Sequence, residues 1–307
     1  MLTNRLLSCK NLPKNKIMRI LQRAEEFEKK PSFNNQGYNF TLINAFFEPS
    51  TRTMLSFQQA CYRLGGKVIN FNKEFSSINK GESHYDTVKS LVNYGDIMVL
   101  RHPEKGFVEK FSEKEKMPII NGGDGDGEHP TQALLDLYTI YKKFKSFFTE
   151  NSHILNILIV GDIKHSRTIH SLIDVLKHYS RIKINLLPYE NREPEYEMIE
   201  NIARDHNQFP DDIVYDKDSC DYSKYDVIYM TRLQKERHGG TQNVNFILNK
   251  QEMEKVKKDA IIMHPLPRNE EIATEIDDDE RCVYFEQMKN GVFVRMTILE
   301  MMLGYTE

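Results

Sequence analysis

The chain has 307 residues, with 42 Lys and Arg against 45 Asp and Glu for a net charge of -3, a balance that argues against a general nucleic-acid binder and requires any functional positive charge to be local. The length suits two domains of about 150 residues each. No apolar run approaches the ~20 residues of a membrane span, the N-terminal Lys10, Lys14 and Lys16 flank no apolar signal core, and Cys9, Cys61, Cys220 and Cys282 are too scattered for a zinc site or a disulfide framework, so the expectation is a cytoplasmic protein with reduced thiols.

Short apolar runs alternate with helix-length amphipathic segments, the pattern of parallel sheets covered by helices. In chain order the predicted strands are 42–47, 68–71, 97–100, 118–121, 155–160, 182–187, 212–215, 227–230 and 260–263. The first runs into Glu48-Pro49-Ser50-Thr51-Arg52-Thr53 and then a helix, on which Met54, Phe57, Cys61 and Leu64 share one face and Gly65-Gly66 supplies a stop. A helix entrance leaves unpaired N–H groups and a partial positive charge, and Arg52 adds a planar fork of donors, so an anion such as phosphate fits there. Capping needs only one hydroxyl, and this entrance has three with an arginine.

In open parallel sheets the ligand sits outside the carboxyl ends of the strands. The later strands end in the same manner as the first: Arg101-His102-Pro103 follows 97–100, a Gly-rich turn ending in His129-Pro130-Thr131-Gln132 follows 118–121, and Gly161-Asp162 with Arg167 follows 155–160. Thr231-Arg232-Leu233-Gln234 follows 227–230, and His264-Pro265-Leu266-Pro267-Arg268 follows 260–263. Singly, each has a plain explanation as a solvated arginine or a turn residue. Together they describe an electropositive cleft suited to substrates with several negative charges.

Other chemistries find no support. Gly122 to Gly127 resembles a calcium loop, but His129 and Leu135 stand where that loop needs glycine and glutamate. Gly161 lacks the companions of a dinucleotide fingerprint, and there is no phosphate loop, nucleophile elbow or activated cysteine. The polar, aromatic stretch 142–153 reads as a domain junction, and the acidic run 277–280 as a solvated turn.

The segments Phe46-Phe47-Glu48-Pro49-Ser50-Thr51-Arg52-Thr53, Arg101-His102-Pro103, His129-Pro130-Thr131-Gln132 and His264-Pro265-Leu266-Pro267 together resemble the motifs of the carbamoyltransferase family, over nearly the whole chain. Tyr229 to Arg237, with Gly161 to Lys164, Arg167 and Thr168, is similar to the branch that accepts aspartate, and Pro265 stands where ornithine-accepting members usually carry cysteine. The resemblance implies an α/β chain of two mostly parallel-sheet domains: 1–150 for carbamoyl phosphate, 151–285 for aspartate, the active site in the cleft between them, and 286–307 a helix packing back on the first domain.

By the same resemblance Ser50, Thr51, Arg52, Thr53 and Arg101 hold the phosphate, Gln132, Leu266 and Pro267 contact the carbamoyl amide, and His129 with Thr53 and Arg101 polarises the carbonyl. Arg167, Arg232 and Gln234 take the carboxylates of aspartate. Ser76 and Lys80 are lent to the neighbouring subunit of a homotrimer with shared active sites, and Glu48, Arg167 and Arg237 hold a closed state. The implied reaction is carbamoyl transfer to aspartate in pyrimidine biosynthesis, with no cofactor, no metal, and a regulatory chain or other enzymes of that pathway as further partners. A different amine acceptor such as ornithine, or a silent carbamoyl-phosphate-binding relative, stays open as an alternative.

Overall fold

In a computed structural model of the chain, the residues described are 4–30, 37–150, 153–215, 220–234 and 246–305. Two compact units emerge: Met1–Tyr138 with Lys289–Glu307, and Thr139–Met288.

The first unit is a five-stranded parallel sheet in the order β1-β5-β4-β2-β3, with β1 Arg5–Leu6, β2 Thr41–Phe46, β3 Lys67–Asn72, β4 Ile97–His102 and β5 Ile119–Asp124. Its helices are α1 (Lys14–Lys29), α2 (Arg52–Leu64), α3 (His84–Leu91), α4 (Phe107–Ser112) and α5 (Pro130–Lys143), the last of which runs on into the second unit. The central strands read as nearly continuous apolar runs because both faces are covered, and Leu42, Ile43, Ala45 and Ile97 to Leu100 are fully buried. On α2 the inward face is Thr53, Phe57, Ala60, Cys61 and Leu64, so Thr53 takes the place expected of Met54, and the helix stops at Gly65 with φ 91°.

The second unit is a four-stranded parallel sheet in the order β7-β6-β8-β9, with β6 Leu155–Gly161, β7 Ile182–Pro188, β8 Val227–Met230 and β9 Ile261–Met263. It carries α6 (Lys145–Glu150), α7 (Arg167–Leu176) and α8 (Tyr196–His206). Within 142–153, the stretch expected as a junction, Lys145–Glu150 forms α6. Segment 212–215 forms only a single bridge, Leu186 to Val214, after a 3-10 turn at Pro210–Asp212. The acidic run is not a bare turn: Asp277 pairs with Arg268 and Tyr284, and Asp279 with Arg281 at 2.7 Å.

The C-terminal helix, Tyr284–Met302, belongs to the first unit from Lys289 onward. It is apolar around its whole circumference from Phe293 to Met302 except for Arg295, Thr297 and Glu300, which are buried too. Arg23 on α1 grips Glu300 with two hydrogen bonds of 2.8 and 2.6 Å, and Tyr38 adds a third at 2.9 Å. Among the described residues no helix is long and apolar enough to cross a membrane.

Candidate functional site

Three adjacent strands of the first unit deliver the residues expected to hold phosphate. Because β2, β4 and β5 are parallel neighbours, their carboxyl ends share one edge of the sheet. Arg101 on β4 pairs in register with Phe46, the last residue of β2, and its carbonyl accepts the Phe47 N–H at 2.9 Å. That register places Arg101 beside the segment Glu48 to Thr53 that enters α2.

The residue at the cap of α2 does not use its hydroxyl there. Thr51 stands at the cap position in a helical conformation and makes no side-chain capping bond. Ser50 and Arg52 are partly exposed and Thr53 is buried in the first turn. The bland role for these hydroxyls, satisfying the helix end, is therefore not the one the Thr51 side chain fills.

Arg101 is tied on two sides: its Nη2 lies 2.6 Å from Glu48 Oε1, and its Nη1 donates to the Gly122 carbonyl of β5 at 3.4 Å. Glu48, expected to act in a closed state with Arg167 and Arg237, is thus the partner of Arg101, and Arg237 lies outside the described residues. At the end of β5, Asp124 organises the Gly-rich turn, accepting from the Gly106 N–H at 3.0 Å and the Glu128 N–H at 2.7 Å. The turn delivers His129 and then Gln132 in the first turn of α5, both buried. Among the described residues no three His, Cys, Asp or Glu gather to hold a metal ion.

Ser76 and Lys80 fall elsewhere, after the edge strand β3: Ser76 links two 3-10 turns and donates through Oγ to the Lys73 carbonyl at 2.7 Å, and Lys80 ends the second turn, exposed.

The second unit repeats the arrangement on β6, β8 and β9, again neighbours in one parallel sheet. Gly161 ends β6 with φ 132°, and a Cβ there would lie 2.3 Å from Thr231 Oγ1, so only glycine lets the ends of β6 and β8 approach this closely. Asp162 follows, fully buried, taking the Gln234 N–H at 3.2 Å and His165 Nδ1 at 3.0 Å. It holds the Thr231-to-Gln234 segment against the end of β6, and Arg167 opens α7 nearby in sequence with 7% exposure. Arg232 and Gln234 adjoin, Nη2 to Oε1 being 3.4 Å.

Beyond β9, Leu266 and Pro267 sit in a tight loop with a cis peptide between them and Leu266 at φ 51°. His264 pins it: its Nδ1 accepts the Leu266 N–H at 2.8 Å, so Nε2 carries the proton and donates to Glu271 at 2.8 Å. Both side chains are fully buried. Burial, opposed by Glu271, lowers the His264 pKa, which agrees with a neutral ring.

Asp136, Glu271 and Arg295 are residues that pattern reading passed over. Arg295 left a signal: an arginine inside the apolar helical run Gly291 to Met302 has to be explained by a partner.

Residues 4–142 match the family model described as the carbamoyl-P binding domain of aspartate/ornithine carbamoyltransferase, and 154–302 match its Asp/Orn binding domain. The aspartate carbamoyltransferase catalytic subunit of Finegoldia magna is 40% identical over 317 aligned positions, covering 99% of each chain. The chain belongs to the aspartate/ornithine carbamoyltransferase family. Another relative, the aspartate carbamoyltransferase catalytic subunit of Clostridium novyi, is 41% identical and covers 86% of this chain and 85% of its own. A solved carbamoyltransferase agrees in fold: the aspartate transcarbamoylase of Trypanosoma cruzi, crystallised with carbamoyl phosphate and aspartate, superposes with a TM-score of 0.85 at 35% identity, covering 97% of this chain and 96% of that one.

Proposed function

We propose that this chain is an aspartate carbamoyltransferase, moving the carbamoyl group of carbamoyl phosphate to the amine of L-aspartate to give N-carbamoyl-L-aspartate and phosphate in pyrimidine biosynthesis. The observation that carries the reading is the α2 entrance, where Thr51 makes no capping bond and Arg101 of the neighbouring strand, in register with Phe46, pairs with Glu48 of the segment leading into the helix. In this reading Ser50, Thr51, Arg52, Thr53 and Arg101 hold the phosphate and Gln132, Leu266 and Pro267 the carbamoyl amide. Arg167, Arg232 and Gln234 bind aspartate, and Ser76 and Lys80 serve the neighbouring subunit of a cytoplasmic homotrimer.

The residue types suit the chemistry. The aspartate amine attacks the carbonyl carbon, a tetrahedral oxyanion develops, and phosphate leaves with increased charge, so the catalyst needs cations and donors set in place beforehand. His129 acts as a hydrogen-bond donor to the carbonyl oxygen together with Thr53 and Arg101. Aspartate carries two carboxylates, which the second-unit arginines match and which a cationic acceptor such as ornithine would not need. Removing one preset donor costs about 3 kcal/mol of barrier, or roughly a hundredfold in rate. Arg52→Ala therefore loses at least that much turnover in a colorimetric ureido assay with carbamoyl phosphate and aspartate, with its melting temperature unchanged. Near-normal turnover in that variant contradicts the assignment.

A further inference from the structure

Gln132 and Asp136 stand one turn apart on α5, and Gln132 Nε2 donates to Asp136 Oδ1 at 2.8 Å. Asp136 is fully buried, and Arg295 of the C-terminal helix, 3% exposed, faces it electrostatically. Burial, partly opposed by Asp136, brings the Arg295 guanidinium down to about 9, which leaves it cationic at neutral pH. The same guanidinium reaches Thr131 Oγ1 at 3.4 Å and lies 5.1 Å from the Phe57 ring centre. Room is made for it by Gly291, where a Cβ would lie 2.4 Å from Arg295 Nη1. A glycine inside a helix is unfavourable, so seating this cation has cost the helix something.

Here the Asp136 carboxyl oxygen is the acceptor and the Gln132 amide the donor. It therefore fixes which branch of the Gln132 amide faces it: the NH2 group turns to Asp136 and the carbonyl oxygen is committed to the other side. A pair of this spacing on a helix surface would merely steady the helix, but burying a carboxylate and a guanidinium together costs desolvation that such steadying does not return.

We propose that Asp136 is a positioning residue: by taking the Gln132 NH2 group it locks that amide with its oxygen toward the ligand, so that the site selects an acyl phosphate bearing an NH2 group over one bearing a methyl group. The inference rests on the carbamoyl phosphate reading above. Acetyl phosphate is the discriminating probe, because it has the same shape with CH3 in place of NH2. A buried acceptor left without its donor penalises it by about ten- to a hundredfold in affinity.

The test measures dissociation constants of carbamoyl phosphate, acetyl phosphate and inorganic phosphate on the assembled protein. The wild type is expected to prefer carbamoyl over acetyl phosphate by about tenfold or more. In Asp136→Asn, whose side chain can also donate, Gln132 is free to turn and the preference falls to within about threefold while inorganic phosphate binding stays unchanged. The double variant Asp136→Asn with Arg295→Gln leaves no unpaired buried charge and is expected to behave in the same way. A folded variant that weakens all three ligands alike, or keeps the preference, overturns the inference and leaves the functional reading standing. Equal binding of the two acyl phosphates by the wild type overturns it without any variant. A wild type that binds inorganic phosphate but neither acyl phosphate overturns the functional reading, and the inference with it.

Discussion

Arg101 pairs with Glu48 at 2.6 Å, so an anion arriving at that guanidinium competes with a carboxylate already beside it. Glu48→Gln removes the competing charge, and inorganic phosphate is expected to bind about three- to tenfold more tightly in that variant by calorimetry, consistent with about 1 kcal/mol for a partly exposed ion pair. Weaker phosphate binding would mean that Glu48 supports the anion site and does not oppose it. Close by, His102 accepts the Glu104 N–H at 3.1 Å through Nδ1 and meets His84 at 2.7 Å through Nε2. Burial, with His84 next to it, holds the His102 imidazole down at about 4 against an ordinary 6.5. Between those values the unfolded chain binds the proton and the folded chain does not, so stability present above pH ~6.5 is lost as the pH falls toward 4, by up to about 3 kcal/mol. Denaturant unfolding at a series of pH values should show this slope in the wild type and a flatter one in His102→Asn. At this scale the sequence is legible where chemistry is local: three hydroxyls and an arginine at one helix entrance exceed what a cap needs. It does not name the partners: Arg295 stands out in its apolar run, but Thr131 lies 164 residues away, and Asp136 and Glu271 meet Gln132 and His264 only through the folded backbone.

Apolar runs predicted the strands well wherever both faces are buried, as in β2, β4, β6 and β8. The two-residue β1 carries too little pattern to be read, and it exists because its backbone pairs with β5. At 212–215 the apolar residues are present, but a 3-10 turn takes the backbone out of the ladder and leaves one bridge. Within the stretch read as a junction, the helix over Lys145–Glu150 is invisible to pattern, since a polar composition says nothing against a helix whose Phe147 is buried. The strand ends themselves impose a testable constraint. Gly161→Ala would drive a methyl group into Thr231 and push the end of β8 outward, moving Arg232 and Gln234 together. The KM for aspartate is expected to rise by about tenfold or more on the arithmetic of about 1.4 kcal/mol per decade, while inorganic phosphate binding stays as it was. An unchanged KM for aspartate would show that the segment after β8 is not where that substrate binds.

In the whole molecule, each of the two units carries its polar residues at the carboxyl ends of adjacent parallel strands, as open α/β sheets do at their ligand sites. The proposed trimer adds Ser76 and Lys80 from a neighbouring copy, and that arrangement makes a prediction independent of any single site. Mixed trimers of Arg52→Ala with Lys80→Ala contain sites lacking both defects, so activity returns on mixing two inactive preparations; persistent inactivity of verified mixed trimers would place Lys80 in its own chain's site. The reading as an aspartate enzyme is tested most directly by competition. The protein is given carbamoyl phosphate with equimolar aspartate and ornithine, and the products are resolved by mass spectrometry. N-Carbamoyl-aspartate in at least a hundredfold excess, about 2.7 kcal/mol of discrimination, is the predicted result. Citrulline as the main product, or no ureido product from either amine, would contradict it.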